Sequence, residues 1–535
     1  MFTKISFLLI TLIVLSLIGC SKQSDKNNPN FVFIILDDMK QEEFNFLPRG
    51  KGKNLTPNID KLAMDGTIFL NQYVASPVCT PSRYNCLTGR FAGRAGNQSF
   101  KNSIKKNRQN VVQWNTSIIP SDITVAEVLR DAGYKTGFVG KNHVIEVKNW
   151  QQLAYDSDLS SEENRLILEK NDRKVRQAIQ NSGFDYTASI YHRNPEAIGA
   201  KELSVHNMDW IAQGAVDFID TLDEENPFFL YFAATLTHGP NEAERSWNAN
   251  PLATPNGMLK NKLAVMPDRS TIPERLKNAG LENQNKENLL WLDDAIGAVI
   301  NKLEEKGLDD NTYIFFFNDH GQDAKGTIYQ GGILNPSIIW KKGGLKSGNE
   351  SLVKISNIDF APTILDLADV YYKPAMFDGK SFGHVLNGST EPVHDELYFE
   401  MGYTRAIIKG EYKYLALRYP EYAEKWSYDK RKDILDAFNK RRAKRNQIIV
   451  NPNDPMKPFS HIMLLPGGGA AEFESTGKLP GYYDSDQLYN IKNDHEELTN
   501  LADDPNHKDK LLELKSIMSE YINTFPGGFP LDSNN

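Results

Sequence analysis

Residues 79–90 read Cys-Thr-Pro-Ser-Arg-Tyr-Asn-Cys-Leu-Thr-Gly-Arg, and their types and spacing suit the activation of a nucleophile. Pro81 has a fixed φ and no amide donor, so it belongs in the first turn of a helix, with Cys79 beside the N-terminus where free amides favour negative charge. Arg83 lies one helical turn further on, on the same face, and adds a permanent positive charge. Four more stretches carry polar residues of complementary chemistry: Asp37-Asp38, Lys141 with His143, His238, and Asp319-His320 with Lys325. Adjacent carboxylates repel unless a cation lies between them. A carboxylate-dominated set with one imidazole suits a hard divalent ion, Ca²⁺ first and Mg²⁺ or Mn²⁺ next, with His320 slightly favouring Mn²⁺ among the latter two. Lys, His and Arg around such an ion describe a pocket for a tetrahedral oxyanion, where their charges stabilise the charge that develops during group transfer.

Taken singly, these residues are ordinary: a lone Cys is usually a small buried hydrophobe, and an Asp pair or a His after a strand is usually part of a turn. The series carries the inference, because each group follows an element that delivers it to one edge of one sheet. Residues 31–36 are an unbroken apolar run with β-branched members, the pattern of a strand covered on both faces in a parallel sheet between helices. Runs over 134–139, 227–236 and 313–317 also end just before Lys141, His238 and Asp319. Open α/β sheets bind ligands at the carboxyl ends of their strands. Helices are predicted over 56–63, with Thr56 as cap and Pro57 in the first turn, over 124–131, ending at Gly133, and over 207–222. A further helix over 288–305 has Leu289, Leu292, Ile296, Val299, Ile300 and Leu303 at helical spacing and stops at Gly307. Residues 67–74 are expected to form one strand leading into the Cys79 turn.

Beyond about residue 391 the pattern changes to short antiparallel-type strands over 397–399, 405–409, 412–417 and 487–490, followed by an amphipathic helix over 508–522. The expected fold class is α/β, a large, mixed and mostly parallel sheet between helices, with a smaller C-terminal α+β domain. The division is 1–20 signal peptide, 21–30 polar tether, 31–390 catalytic domain and 391–530 C-terminal subdomain. Residues 145–203 read as a polar, patternless insertion with no assignable chemistry. Residues 425–445 are rich in Lys and Arg, the pattern of a solvated helix face, with attraction to a polyanionic glycan as the sharper reading. The loop at Gly467-Gly468-Gly469, preceded by His461, is expected to border the cleft.

Cys79-x-Pro81-Ser82-Arg83 followed by Leu87-Thr88-Gly89-Arg90 resembles the signature of the type I sulfatases, formylglycine-dependent members of the alkaline-phosphatase-like superfamily. Gly140-Lys141-Asn142-His143, Thr237-His238-Gly239-Pro240, Asn318-Asp319-His320 and the Lys325-Gly-Thr-Ile-Tyr stretch resemble further elements of that family. The resemblance implies an alkaline-phosphatase-like fold, with Cys79 oxidised to 3-oxoalanine (formylglycine) by a sulfatase-maturating enzyme. It implies a metal held by Asp37, Asp38, Asp319, His320 and the group made from Cys79. It also implies roles. A hydroxyl of the hydrated aldehyde, supported by Arg83, attacks sulfur; His238, helped by Lys325, protonates the departing alcohol; His143 is the base that releases sulfate; Lys141 holds the hydrate and the sulfate. Gln330 stands where the family has Glu, and Leu334-Asn335-Pro336 where Arg-x-Pro is frequent, which leaves substrate preference open.

With 535 residues the chain is long enough for two domains, and 40% hydrophobic and 24% charged residues are those of a soluble globular protein. A formal net charge of −8 argues against a nucleic-acid partner. Lys4 and the apolar run 7–18 form an export signal, and Leu17-Ile18-Gly19-Cys20 looks like a bacterial lipobox. The expectation is an exported lipoprotein of a Gram-negative-type bacterium, anchored to a membrane through lipid on Cys20, in the periplasm or at the cell surface. Of three Cys residues, Cys86 alone would then remain a thiol, so no disulfide is needed. The leading reading is a sulfatase acting on a sulfated glycan. The alternatives are a phosphate or phosphonate ester hydrolase of the same fold and a non-catalytic, lipid-anchored glycan-binding protein.

Overall fold

The strand Asn30–Asp37 is buried along its whole length because it lies near the middle of an eight-stranded sheet with helices on both faces. The computed structural model describes residues 28–223, 225–444, 447, 449–469 and 478–532. The signal peptide, Cys20 and most of the tether lie outside the described residues.

From one edge to the other the sheet runs Glu350–Ser351, Thr67–Phe69, Ser337–Lys341, Thr312–Asn318, Asn30–Asp37, Phe228–Thr237, Lys135–Asn142 and Tyr186–His192. Asn30–Asp37 pairs in parallel with both neighbours, Phe31 opposite Phe229 and Tyr313. Ser337–Lys341 alone runs antiparallel to the strands beside it. The alternation of the central strand sorts two cores. Val32, Ile34 and Leu36 meet the helices Pro57–Asp65, Met208–Asp220 and Glu287–Glu305. Phe31, Phe33 and Ile35 meet Cys79–Thr88, Val125–Asp131, Glu162–Gln180 and Phe360–Leu367. In that second core the Phe33 ring lies 4.7 Å from Phe317 and 5.6 Å from Phe360.

The C-terminal region holds a separate antiparallel sheet of Glu396–Met401, Thr404–Lys409, Tyr412–Leu417 and Asp486–Asn490. Helix Lys508–Ile522 covers it, burying Leu514, Met518 and Ile522 against Tyr398, Ile407 and Tyr414. Ala75 and Phe91, from either side of the Cys79 helix, join the same cluster and tie this layer to the large sheet.

Several sequence expectations are corrected. Residues 145–203 are not patternless: they contain the 19-residue helix Glu162–Gln180, which buries Leu168, Val175 and Ile179, and the edge strand Tyr186–His192. One narrow apolar stripe on a highly charged helix, and a strand with only one neighbour, leave a weak periodic signal. The expected strand over 67–74 breaks into Thr67–Phe69 and Gln72–Tyr73, the latter pairing with Ile355–Ser356 in its own small sheet. Thr56 precedes helix Pro57–Asp65 without capping it, its hydroxyl donating instead to Asp60 at 3.0 Å. Lys141 lies within its strand rather than beyond it. His461 is fully buried, its ring stacked 3.8 Å from Tyr482, and Gly467 packs by Val450 and Lys457, so this loop belongs to the C-terminal packing instead of an open cleft. The basic segment forms helix Tyr428–Ala443, held by buried Arg431, Leu435 and Asn439.

Candidate active site

Five stretches distant in sequence converge where the central strands end. Asp38 has a φ of 62°, a left-handed turn that sends the two neighbouring carboxylates apart. Asp37 turns inward, where Lys141 grips one oxygen and Arg83 Nη2 lies 3.5 Å from the other. Asp38 turns outward to Lys325, 2.6 and 2.7 Å from its two oxygens. The end of the Thr312–Asn318 strand is laced to this turn: Asn318 accepts from the Met39 amide at 3.1 Å and donates to the Met39 carbonyl at 2.9 Å, and the Asp319 amide donates to the Leu36 carbonyl at 3.1 Å. Asp319 and Asp38 are thereby brought face to face.

Helix Cys79–Thr88 presents its first residue to them. Val78, in the cap position, offers no capping side chain, and all ten helical residues are buried. Gly89, with φ 61°, ends the helix in the left-handed conformation that glycine adopts without strain. Ser82 donates to the Asp319 carbonyl, and Arg83 Nη2 reaches Asp319 Oδ2 at 3.3 Å and the Leu36 carbonyl at 3.4 Å. Arg83 is thus wholly buried between two carboxylates that fix its charge. Cys79 Sγ lies 3.6 Å from His320 Nε2, which also meets Asp38 Oδ1 at 3.1 Å and Asp319 Oδ1 at 3.5 Å. Donor atoms of Asp38, Cys79, Asp319 and His320 all fall within 4.8 Å of one another, a set that fits a divalent ion. Asp37 stands outside that set, but its Oδ1 is buried without a hydrogen-bond partner beside it.

The field of the site follows from these contacts. Burial alone would raise the Asp37 carboxyl, but Lys141, then His238 and Arg83, hold it well below its ordinary range. Burial likewise opposes ionised Asp38, and Lys325 and His320 outweigh it. Asp319 is raised by its burial and by the neighbouring Asp37. Burial pushes the Cys79 thiol well above its ordinary value, so a thiol here stays protonated. Burial, followed by the Lys141 charge, pushes His143 well below its ordinary value, which keeps it neutral; its Nδ1 has no partner. His238 Nδ1 lies 2.7 Å from the Gly239 carbonyl, which can only accept, so Nδ1 carries a proton; Nε2 faces Asp38 Oδ2 at 3.7 Å and carries the second proton when the ring is charged.

All the residues singled out from sequence meet here: Asp37, Asp38, Cys79, Arg83, Lys141, His143, His238, Asp319, His320 and Lys325. Sequence reasoning missed two more. Asn194 Nδ2 lies 3.3 Å from His238 Nε2, and fully buried His206 feels the charges of His238 and Lys141. Asn194 comes from the region read as patternless, and His206 from just beyond it, before the helix Met208–Asp220. The Asn194-Pro195 dipeptide after an apolar alternation was the available turn signal.

A family model described as Sulfatase matches residues 29–370. The chain is 26% identical over 423 residues to N-acetylgalactosamine-6-sulfatase of Mus musculus, covering 75% of this chain and 74% of that one. It is 25% identical over 508 residues to the ulvan-active sulfatase of Formosa agariphila, covering 92% of this chain and 74% of the relative. A solved structure from Bacteroides thetaiotaomicron, described under metabolism of multiple glycosaminoglycans, superposes with a TM-score of 0.59 at 19% identity, over 93% of this chain and 100% of that one. The match spans the whole large sheet and every strand end that feeds the pocket, and the chain belongs to the sulfatase family, as a sulfuric ester hydrolase.

Proposed function

We propose that this protein removes sulfate from a sulfated carbohydrate, using formylglycine made from Cys79 and a divalent ion, Ca²⁺ first and Mg²⁺ or Mn²⁺ next. The observation that carries the reading is the convergence of Asp38, Cys79, Asp319 and His320 donors within 4.8 Å, at a helix N-terminus ringed by Arg83, Lys141 and Lys325. Asp38, Asp319 and His320 would hold the ion, with Asp37 Oδ1 beside them and the group derived from Cys79 completing the set. The ion supplies positive charge that stabilises charge developing on the sulfuryl oxygens. Hydrated formylglycine supplies two hydroxyls on one carbon, one to attack sulfur and one to expel sulfate.

The remaining work falls to the chain itself. Arg83, locked between Asp37 and Asp319, keeps its positive charge beside the nucleophile under all working conditions. Lys141, seated on Asp37, and Lys325, seated on Asp38, present ammonium groups to the sulfate without having to reorganise. His238, its Nδ1 anchored on Gly239, directs Nε2 toward the departing alcohol and gives it a proton, with Lys325 assisting. His143, kept neutral by its surroundings, accepts the proton whose removal frees sulfate.

The named relatives act on N-acetylgalactosamine sulfate and ulvan, which supports a glycan as substrate. Export as a lipoprotein anchored through Cys20 is part of the same proposal; among the described residues no helix is long and apolar enough to cross a membrane. The test is sulfate release from a panel of defined sulfated oligosaccharides, run beside 4-nitrophenyl sulfate and 4-nitrophenyl phosphate. Sulfate esters should be turned over well above phosphate esters; the reverse order would establish the phosphate or phosphonate alternative.

A further inference from the structure

The helix Gln98–Asn107 and the loops of the C-terminal layer border a groove of about 1360 Å³ that shares no lining residue with the sulfate pocket. A small-molecule cleft takes about 300–1,000 Å³, so this one suits an extended ligand. Its lining holds six basic and three acidic side chains, in a chain that overall has 61 Lys and Arg against 69 Asp and Glu. Of the basic stretch 425–445 only Lys425 and Arg431 line it. Three of the six cations are already engaged: Arg418 pairs with Asp486 at 2.8 Å, Lys425 with Glu421, and buried Arg431 donates to the Lys457 and Glu424 carbonyls at 3.3 Å. Lys105, Lys106 and Arg108 are exposed and form no ion pair among the described residues. Glu421 feels the charge of Arg108, but Lys425 holds it first.

Arg108 ends its helix at φ 55°, the left-handed conformation that glycine or asparagine takes most easily. An exposed arginine gains no packing there, so its charge is what distinguishes the position. Cations in a last helical turn also answer the helix dipole, which accounts for Lys105 and Lys106 but not for the surface they share a groove with. That surface is aromatic. Tyr419 and Tyr422 are half-buried and line the groove with Phe459, whose ring lies 4.1 Å from the Arg431 guanidinium and 5.4 Å from the Tyr419 ring. The Tyr422 hydroxyl donates to Asn107 at 3.0 Å and ties the aromatic wall to the basic one.

We propose that this groove is a second, non-catalytic site that holds a strand of sulfated glycan, with Lys105, Lys106 and Arg108 pairing with its sulfate groups and Tyr419 and Tyr422 packing against its sugar faces. Arginine, always charged and forked, matches the oxygens of a sulfate, and lysine adds point charge beside it. Tyrosine rings offer broad, rigid contact area at small cost in conformational freedom. A polymer held here is kept at high effective concentration near the catalytic pocket without any new contact in that pocket. The choice of a glycan over another polyanion rests on the sulfatase reading above.

The test is affinity gel electrophoresis of the full chain in heparin, chondroitin sulfate and carrageenan, beside unsulfated chondroitin and polyglutamate. Wild type is compared with Arg108→Gly and with a triple variant, Lys105→Gln, Lys106→Gln and Arg108→Gln together. At least one sulfated polysaccharide should retard the wild type more than unsulfated chondroitin or polyglutamate does. The triple variant should weaken that binding at least about tenfold at low salt, the difference shrinking as salt rises, and should leave kcat and KM on 4-nitrophenyl sulfate unchanged. Arg108→Gly should also weaken binding while melting no lower than wild type, since glycine takes the left-handed conformation freely; a purely structural arginine would not separate the two. Equal retardation of wild type and triple variant by every sulfated polymer, or polyglutamate bound as tightly as any of them, would overturn the site. Binding that the triple variant loses, in an enzyme inert toward every sulfate ester, would uphold the groove and overturn the sulfatase reading instead.

Discussion

Lys325 Nζ stands 2.6 and 2.7 Å from the two oxygens of Asp38. That carboxylate also meets His320 Nε2, so it joins the ammonium that would face the leaving group to the cluster that would hold an ion. Replacing Lys325 by Ala should lower kcat about a hundredfold or more on 4-nitrophenyl sulfate, with the smaller change in KM. A loss confined to KM would mean that Lys325 only binds substrate.

Removal of the ion has a separate signature. Chelator-treated protein should melt at lower temperature than protein given Ca²⁺, because an ion that binds only the folded state adds about 2.7 kcal/mol at a hundredfold excess over its Kd. Asp319→Asn should erase most of that Ca²⁺-dependent rise in differential scanning calorimetry. Mg²⁺ and Mn²⁺ should restore less activity than Ca²⁺ after chelation.

Arg83 is buried between Asp319, at 3.3 Å, and Asp37, at 3.5 Å. Arg83→Met leaves two buried carboxylates short of a cation, so it should destabilise the fold by about 3–5 kcal/mol as well as abolish turnover. Urea unfolding followed by tryptophan fluorescence measures the first effect, and Arg83→Lys should repair it only partly, since one ammonium does not reproduce the guanidinium fork.

Away from the site, Glu400 accepts from the Gly93 amide at 2.7 Å, and its burial pushes it up to about 7. The folded state therefore keeps a proton that the unfolded chain has already released, and stability falls as pH rises from about 4.5 to about 7, then levels off. The full effect is on the order of 3 kcal/mol. Glu400→Gln keeps an acceptor for Gly93 but has no proton to lose, so its stability relative to wild type should be higher at pH 8 than at pH 5. Parallel melting curves for the two proteins across that range would contradict this linkage.

The strands that place the candidate site groups were legible because full burial on both sides leaves unbroken apolar runs, as in Asn30–Asp37 and Phe228–Thr237, each with its polar group at or just past the end. The C-terminal strands and helix Lys508–Ile522 were equally plain. What escaped was set by tertiary contact. Tyr186–His192 is an edge strand with one partner, so its alternation is partial, and Asn194 meets His238 only after the left-handed turn at Arg193. His206 reads as a polar residue before a helix, and nothing local in sequence brings it within reach of the charges of Lys141 and His238. The division of the aspartates, Asp37 to Lys141 and Arg83 and Asp38 to Lys325, likewise follows from the backbone turn at Asp38, which two identical letters do not encode.

The proposed chemistry turns on what Cys79 becomes. Mass spectrometry of the peptide containing Cys79, from enzyme made in a host with the maturation machinery, should show formylglycine in proportion to specific activity, and the Cys79→Ala protein should fold and be inert. An unmodified thiol in fully active enzyme would contradict it.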